Sequence, residues 1–240
     1  IMPLPTIATP TYELVLPSSG KKIKYRPFLV KEEKLLVLAL ESEDSKEISN
    51  AIKAVLKNCI QSRGIKVETL PTFDIEFLFL NIRGKSVGEE IEVNLIAPDD
   101  GETSVPVTIN IDEIKVQTKK EHDKNIKLDD SLMMEMKYPS LDQFIANNFD
   151  MGAENALDQS FELIATCIDK IYNEEEVWST SDCTKKEMVD FLEQMNTKQF
   201  KEIEKFFETM PKLSHEVEIT NPKTKVKSTI VLEGLTSFFA

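Results

Sequence analysis

Few residues in this 240-residue chain belong to the types that usually perform catalysis. There are two histidines: His122 lies in a charged stretch and His215 lies just before an apolar alternation. Neither has the companion spacing of a zinc site or of a nucleophile motif. The acidic runs at 99–100, 129–130 and 174–176 lack the alternating acids, glycine and closing Glu of a calcium loop. These patterns argue against catalysis and indicate surface or capping histidines and solvated acidic loops.

The three cysteines are widely separated, which is not the pattern of a disulfide framework and indicates a reducing compartment. Cys59 and Cys167 fall on apolar helix faces, where a free thiol usually behaves as a small buried hydrophobe. Cys183 precedes two lysines and is expected nearer the surface. Ser19-Gly-Lys-Lys22 lacks the first glycine of a phosphate loop and lies in a predicted hairpin, so nucleotide binding is not indicated.

Composition bounds the class of protein. The chain has 42 acidic against 29 basic residues and a net charge of -13, which disfavours nucleic acid and anionic membranes as partners. The apolar run at 35–40 is far shorter than the ~20 residues of a membrane-spanning helix, and the first residues lack the basic and apolar regions of a secretory signal. A hydrophobic content of 41% suffices for a core. The length predicts one large or two small domains.

Apolar periodicity predicts an α+β fold of amphipathic helices and several β-hairpins. The predicted hairpins are 12–16 with 21–26, 91–95 with 105–111, and 217–219 with 230–232. The predicted helices are 30–42, Ser45 to near Gly64, Thr72 to Ile82, a short one from Ser140, 156–172, one opened by a Thr184–Glu187 capping box, and 197–211. Residues 117–125 and the acidic segment 174–182 are predicted as loops, and 131–138 as a strand.

The order of these elements predicts two lobes that each end in a hairpin. The predicted boundaries are an extended arm at 1–11, a hairpin–helices–hairpin lobe at 12–116, a linker at 117–130, and a mainly helical lobe with an aromatic tail at 131–240. The second and third hairpins share Glu-Val before an x-Pro turn, at 92–98 and 216–222. This echo is open to two interpretations: a duplicated unit, or two hairpins of common composition.

One segment is specific enough to suggest a family. Tyr25-Arg-Pro-Phe-Leu-Val-Lys-Glu-Glu-Lys-Leu-Leu36, following a Leu-Pro-Ser-Ser-Gly-Lys-Lys hairpin, resembles the baseplate hub proteins of T-even-like contractile-tail phages, especially their marine and cyanophage relatives. Supporting matches are 80–88, Tyr138-Pro139 and 232–239. The resemblance spans nearly the whole chain.

The resemblance implies a structural or assembly protein of the tail hub rather than an enzyme. It implies hub or tail proteins as partners, no nucleic acid or membrane, and a place in the host cytoplasm during assembly and in the virion baseplate if the protein is a permanent component. Several relatives carry Cys-x-x-Cys pairs in the two later hairpins, like a zinc ribbon. Here the turns at 97–101 and 220–224 contain no cysteine, so ancestral zinc sites would be lost and no cofactor is expected.

Candidate partner contacts follow from this family pattern and from exposed aromatic signals. They are Tyr25, Arg26, Pro27, Phe28, Lys31, Trp178, Leu235, Phe238 and Phe239. For Tyr25, Pro27 and Phe28, a packed corner between hairpin and helix is at least as good an interpretation as a partner contact. Two other functions remain open: a transient hub-assembly factor absent from the virion, and a cell-wall hydrolase, which would need paired acids across a cleft or a zinc site.

Overall fold

A computed structural model describes residues 7–42, 44–141, 143, 156–234 and 237. The chain divides into two compact units. The first contains the residues up to Gln117 and those from Lys212 onward, and the second is Thr118–Pro211. The second unit is therefore an insertion into the first.

The six helices and eleven strands of the described residues confirm the α+β class. The helices are α1 Val30–Glu41, α2 Ser45–Cys59, α3 Thr72–Val87, α4 Ala156–Thr166, α5 Lys185–Glu193 and α6 Thr197–Thr209. The strands are β1 Tyr12–Val15, β2 Lys22–Tyr25, β3 Glu90–Ile96, β4 Ser104–Asn110, β5 Lys115–Gln117, β6 Asn125–Lys127, β7 Met133–Met136, β8 Ile168–Tyr172, β9 Val177–Ser179, β10 Lys212–Thr220 and β11 Lys227–Glu233.

All three predicted hairpins are present in the first unit. They are β1–β2, β3–β4 and β10–β11, each antiparallel. Strand β10 also pairs with the short β5, where Leu213 lies opposite Val116, so the sheet order is β11-β10-β5. The β5–β10 pairing holds the two ends of the insertion side by side.

The three hairpins turn in the same way. In each, a buried residue is followed by proline, and the backbone amide four residues later donates to the carbonyl of that buried residue at 2.9 Å. The donating residue has a left-handed backbone in every case. The three pairs are Leu16 with Gly20 (φ +65°), Ala97 with Gly101 (φ +68°) and Asn221 with Lys225 (φ +64°). The echo between the second and third hairpins thus extends to all three turns.

The second and third hairpins share one apolar core with α3. Alternate residues of each strand point inward, as the burial of Ile91, Val93 and Leu95 along β3 shows. Buried members of this cluster from the two hairpins and α3 include Leu80, Ile91, Val93, Leu95, Ile109, Leu213, Val217, Ile219 and Leu232. Helix α3 buries residues on most of its circumference, as expected for a helix inside a core.

The second unit is a four-stranded antiparallel sheet, β6-β7-β8-β9, packed with α4, α5 and α6. Alternate residues of β7 face the core, which buries Met134 and Met136. The predicted Thr184–Glu187 capping box is present at the start of α5. Other buried members of this core are Ile126, Leu128, Ala165, Cys167, Ile168, Ile171, Met188, Leu192, Ile203 and Phe206.

The predicted helix over 156–172 is wrong in its second half. Helix α4 ends at Thr166, whose hydroxyl donates to the Leu163 carbonyl at 2.7 Å. Residues 168–172 instead form β8, because β-branched Ile168 and Ile171 fit between β7 and β9. Residues three apart lie on one face of a helix but on opposite faces of a regular strand. A register shift at Glu135/Met136 lets both Ile168 and Ile171 face the core.

The two units also differ from the predicted lobes at 12–116 and 131–240 and the predicted linker at 117–130. The closing hairpin belongs to the first unit, because its inner face packs on β3–β4 and α3. The predicted loop region contains the ends of two three-residue strands, β5 and β6, and the predicted acidic loop contains β9. Most of the short helix predicted from Ser140, and residues 1–6 of the arm, lie outside the described residues.

Lys225 offers a test of the shared turn. A left-handed backbone costs a residue with a Cβ about 1–2 kcal/mol, and glycine avoids this at a smaller entropic cost. We therefore expect Lys225→Gly to raise the free energy of unfolding by up to about 1 kcal/mol, and Gly101→Lys to lower it by about 1 kcal/mol. Urea unfolding measures both. Destabilisation by Lys225→Gly would contradict the equivalence of the turns.

Candidate interaction site

The predicted contact segment begins in a corner that is mostly buried. Tyr25 is 2% exposed, its ring lies 5.9 Å from that of Tyr12, and its backbone forms an isolated bridge with Ile60. Pro27 is buried, and Phe28 is half-buried with its amide donating to the Ser86 hydroxyl at 2.9 Å. The Tyr25 backbone thus joins the hairpin to the end of α2, and the Phe28 amide joins this segment to α3.

Arg26 and Glu32 form an ion pair inside this corner. Arg26 Nη2 lies 3.0 Å from Glu32 Oε1, and Arg26 Nη1 donates to the Pro27 carbonyl at 2.8 Å. The Leu29 amide donates to Glu32 Oε2 at 2.8 Å. Burial alone would raise the pKa of Glu32, but the hydrogen bonds from Arg26 and Leu29 lower it below its ordinary value. The pair fixes where α1 begins, since Glu32 lies in its first turn.

The surface turned to solvent lies further along, on α1. Val30, Val37 and Leu38 are 79%, 48% and 53% exposed, which is unusual for large apolar side chains on one short helix. Helical spacing places them on one side, opposite the buried Glu32 and Ala39. We call Val30, Val37, Leu38 and the exposed charged residues around them, Lys31, Glu33, Lys34 and Glu41, the α1 outer face. It contains Lys31, one of the predicted contact residues.

The remaining predicted contacts are divided between β9 and the C-terminal tail. Trp178 lies in the edge strand β9 opposite Ile171 and is 40% exposed. It is the one tryptophan of the sequence. Leu235, Phe238 and Phe239 lie outside the described residues. Of the predicted contacts that fall in the described residues, Lys31 and Trp178 lie at the surface.

A polar network that the sequence pattern does not reveal joins the turns of the second and third hairpins. Asn221 is 1% exposed. Its Nδ2 donates to both carboxylate oxygens of Asp99 at 3.1 Å and to Asp100 Oδ2 at 2.9 Å. Its Oδ1 accepts from the Lys223 amide at 2.8 Å, which fixes the orientation of the amide group. We call Asp99, Asp100, Thr103, Asn221 and Thr224 the turn network.

Hydroxyl groups complete the turn network. Thr224 donates to Asp99, and the Thr103 amide and hydroxyl donate to Asp100 at 2.9 and 2.5 Å. The pKa of Asp99 is lowered, first by Thr224 and then by Asn221. The pKa of Asp100 is lowered strongly, first by the Thr103 hydroxyl, then by the Thr103 amide and by Asn221. These turns are the ones in which the family resemblance places Cys-x-x-Cys pairs.

The two histidines, the residue type most often used in catalysis, contact side chains of the protein itself. His122 lies 3.0 Å by Nδ1 from the Thr209 hydroxyl and 2.9 Å by Nε2 from the Tyr138 hydroxyl. Its pKa is lowered, first by burial and then by nearby Lys124. His215 lies in β10, with Nε2 3.8 Å from Glu113 Oε2. Within the described ranges, no group of three or more His, Cys, Asp or Glu side chains is arranged to hold a metal ion.

The predicted burial of Cys59 and Cys167 is confirmed, but Cys167 lies in the turn between α4 and β8 and not on a helix face. Cys59 and Cys167 are fully buried, and burial raises the pKa of the Cys59 thiol to about 11 and of the Cys167 thiol to about 12. Cys183 is partly exposed.

Comparison with known proteins gives one family match. A family described as T4 bacteriophage base plate protein matches residues 9–240. No curated protein and no solved structure matches the chain. Among the helices of the described residues, none combines the length and the apolar content that a membrane crossing requires.

The turn network predicts a pH dependence. Carboxyl groups whose pKa is lower in the folded state stabilise it above their ordinary pKa of about 4, and this stabilisation is lost as pH falls through the folded-state pKa. We therefore expect the free energy of unfolding to fall below about pH 4, and to fall less steeply in the Asp99→Asn/Asp100→Asn variant. Glu90→Gln/Glu92→Gln, which removes two exposed carboxylates of β3, is the matched control. Equal slopes in all three proteins would contradict stabilisation of the fold by the Asp99 and Asp100 carboxylates.

Proposed function

The chain belongs to the T4 bacteriophage base plate protein family, and from this premise we propose that it is a structural protein of the baseplate hub that acts through contacts with other hub or tail proteins. The family match covers nearly the whole chain, including both units. The hub in particular is supported by the segment Tyr25–Leu36, which resembles hub proteins and forms the corner that leads into α1.

The observation that carries a contact function is the α1 outer face. Three large apolar side chains on a surface helix cost solvation unless another surface covers them. The charged residues around them match the arrangement of many protein interfaces, in which an apolar centre is surrounded by a polar rim. Lys31 belongs to that rim, with Nζ 3.6 Å from the buried Glu32 carboxylate.

A second contact surface is the β9 edge around Trp178. Half-exposed tryptophan side chains are common anchors in interfaces, because they bury a large area and retain one hydrogen-bond donor. Exposed Val177 adjoins it. A hub component could use this edge and the α1 outer face for two different neighbours.

The alternative within the same family is a transient assembly factor. Such a protein would bind hub intermediates through the same surfaces and leave before the particle is complete. Quantitative mass spectrometry of purified virions separates the two roles. Stoichiometric amounts in virions support the permanent component, whereas presence in hub intermediates and absence from virions supports the assembly factor.

We propose that the protein has no catalytic role of its own. Its baseplate family favours a structural role, and the buried acids Glu32 and Asp74 are bound by Arg26 and Ser18. We expect the purified protein to release no soluble fragments from isolated cell walls. Release at a rate above that of a heat-denatured sample would overturn the structural assignment in favour of a tail hydrolase.

The contact role of α1 is tested by Val37→Lys. Because Val37 is 48% exposed, we expect the melting temperature to stay near that of the wild type, while incorporation into hub intermediates in infected cells falls by about tenfold or more.

Val87→Lys is the matched control, since Val87 is also helical and is 54% exposed. We expect it to leave incorporation unchanged. Normal incorporation of both variants would contradict a role for the α1 outer face.

A further inference from the structure

A groove in the second unit runs between the edge strand β6 and helix α6. We infer that it receives an extended, lysine- or arginine-containing segment of a partner protein, which adds a strand to β6. The inference rests on the proposed function as a contact-forming protein. It names a site and a mode of binding that neither the family match nor the resemblance specifies.

The groove is about 860 Å³ in volume. One wall is formed by residues 125–128, and the other by side chains of α6 at helical spacing: Lys198, Gln199, Glu202, Lys205, Phe206 and Thr209. The β6 residues include both core-facing Ile126 and outward-facing Asn125 and Lys127. Because both faces of β6 line it, the groove follows the edge of the strand.

The backbone of β6 presents hydrogen-bonding groups along this edge. The Met136 amide donates to the Lys124 carbonyl at 2.8 Å, and the Leu128 amide donates to the Leu132 carbonyl at 2.9 Å. In an antiparallel pair, every second residue directs its backbone groups at the neighbouring strand. Lys124, Ile126 and Leu128 therefore face β7, with Ile126 opposite Met134. The N–H and C=O groups of Asn125 and Lys127 are directed to the opposite side, which is the edge of the sheet.

One of these edge groups already has a hydrogen-bond partner in the chain, which limits how far an added strand could extend along β6. The Asn125 amide donates to Asp123 Oδ1 at 2.9 Å. The Asn125 carbonyl and both backbone groups of Lys127 remain directed to the edge. Strand addition uses such groups for affinity and uses alternate side chains for specificity. Residues 125–128 span ~13 Å at ~3.3 Å per residue, which suits a segment of about four to six residues.

The charge of the groove selects a basic segment. Its lining contains five acidic and three basic side chains: Glu121, Asp123, Asp129, Asp130 and Glu202, against Lys127, Lys198 and Lys205. Lys127 Nζ already lies 2.9 Å from Asp130 Oδ1, and Lys205 Nζ lies 3.9 Å from Glu202 Oε2. The surplus of carboxylates attracts a cationic chain and orients it on approach.

Labelled peptides test the mode of binding on the full-length protein. The probe is fluorescein-Lys-Val-Lys-Val-Lys-Val-Lys, titrated by fluorescence anisotropy, with the Glu-for-Lys peptide as the charge control. Two further probes carry N-methyl groups on the valines or on the internal lysines. In an added strand, only one of these alternate sets of amides faces β6. We expect one N-methyl probe to bind about tenfold or more weakly than the other.

Two matched variants test the site. Glu121→Gln/Glu202→Gln removes two groove carboxylates, and Glu204→Gln/Glu208→Gln removes two exposed carboxylates of α6 that lie outside the groove lining. We expect the first pair to weaken binding of the basic probe about fivefold at low salt and the second to change it less than about twofold. A folding defect would appear in the far-ultraviolet circular dichroism, and the N-methyl comparison on the wild type is independent of it.

Several outcomes would overturn the inference. They are failure of the basic probe to bind, equal binding of the acidic probe, equal binding of the two N-methyl probes, or equal effects of the two variants. Concentration-dependent self-association in sedimentation that the probe suppresses would assign the groove to a second copy of this chain instead. Since these measurements use the purified protein alone, their failure is distinct from failure of hub incorporation, which is measured in infected cells.

Discussion

The packing of two hairpins that are distant in sequence organises the first unit. Strands β3–β4 and β10–β11 bury their inner faces together with α3, and the turn network joins their ends across 122 residues of sequence. Association over such a separation has a substantial entropic cost in the unfolded chain, and the burial of at least nine large apolar side chains offsets it. The polar network then sets how the two hairpins are aligned, because Asn221 can reach both aspartates only when the two turns meet.

This packing explains how the chain accommodates a second unit. Strand β5 leaves the first unit and β10 re-enters it as its neighbour in the sheet, so residues 118–211 leave and return at adjacent points. A unit inserted between two neighbouring strands in this way needs little change in the fold that receives it. The inserted unit has its own core around β7, β8 and α6.

Much of the fold could be predicted from the sequence, because its main signals are local. Short apolar strands on either side of a turn signal identified all three hairpins, and Thr184 with Glu187 identified a helix start. The helix predicted over 168–172 was wrong because the spacing of Ile168 and Ile171 suits a helix, and only their pairing with β7 selects a strand. Strands β5 and β6 are too short for a periodic signal, and the partners of Asn221 and Arg26 are set by tertiary contacts. For that reason the sequence left open whether Tyr25, Pro27 and Phe28 form a packed corner or a partner contact, and it did not indicate that α1 holds the exposed surface.

In this baseplate protein, the corner at Tyr25, Arg26 and Glu32 fixes the position of α1, whose outer face is the contact surface that we propose. The most direct test is photo-crosslinking in infected cells with benzoylphenylalanine at position 38, on the α1 outer face, and at position 231 on β11 as a control of similar exposure. We predict a crosslink from position 38 to another baseplate protein and none from position 231. Crosslinks from position 231 alone, or from neither position while the protein is present in hub intermediates, would contradict it.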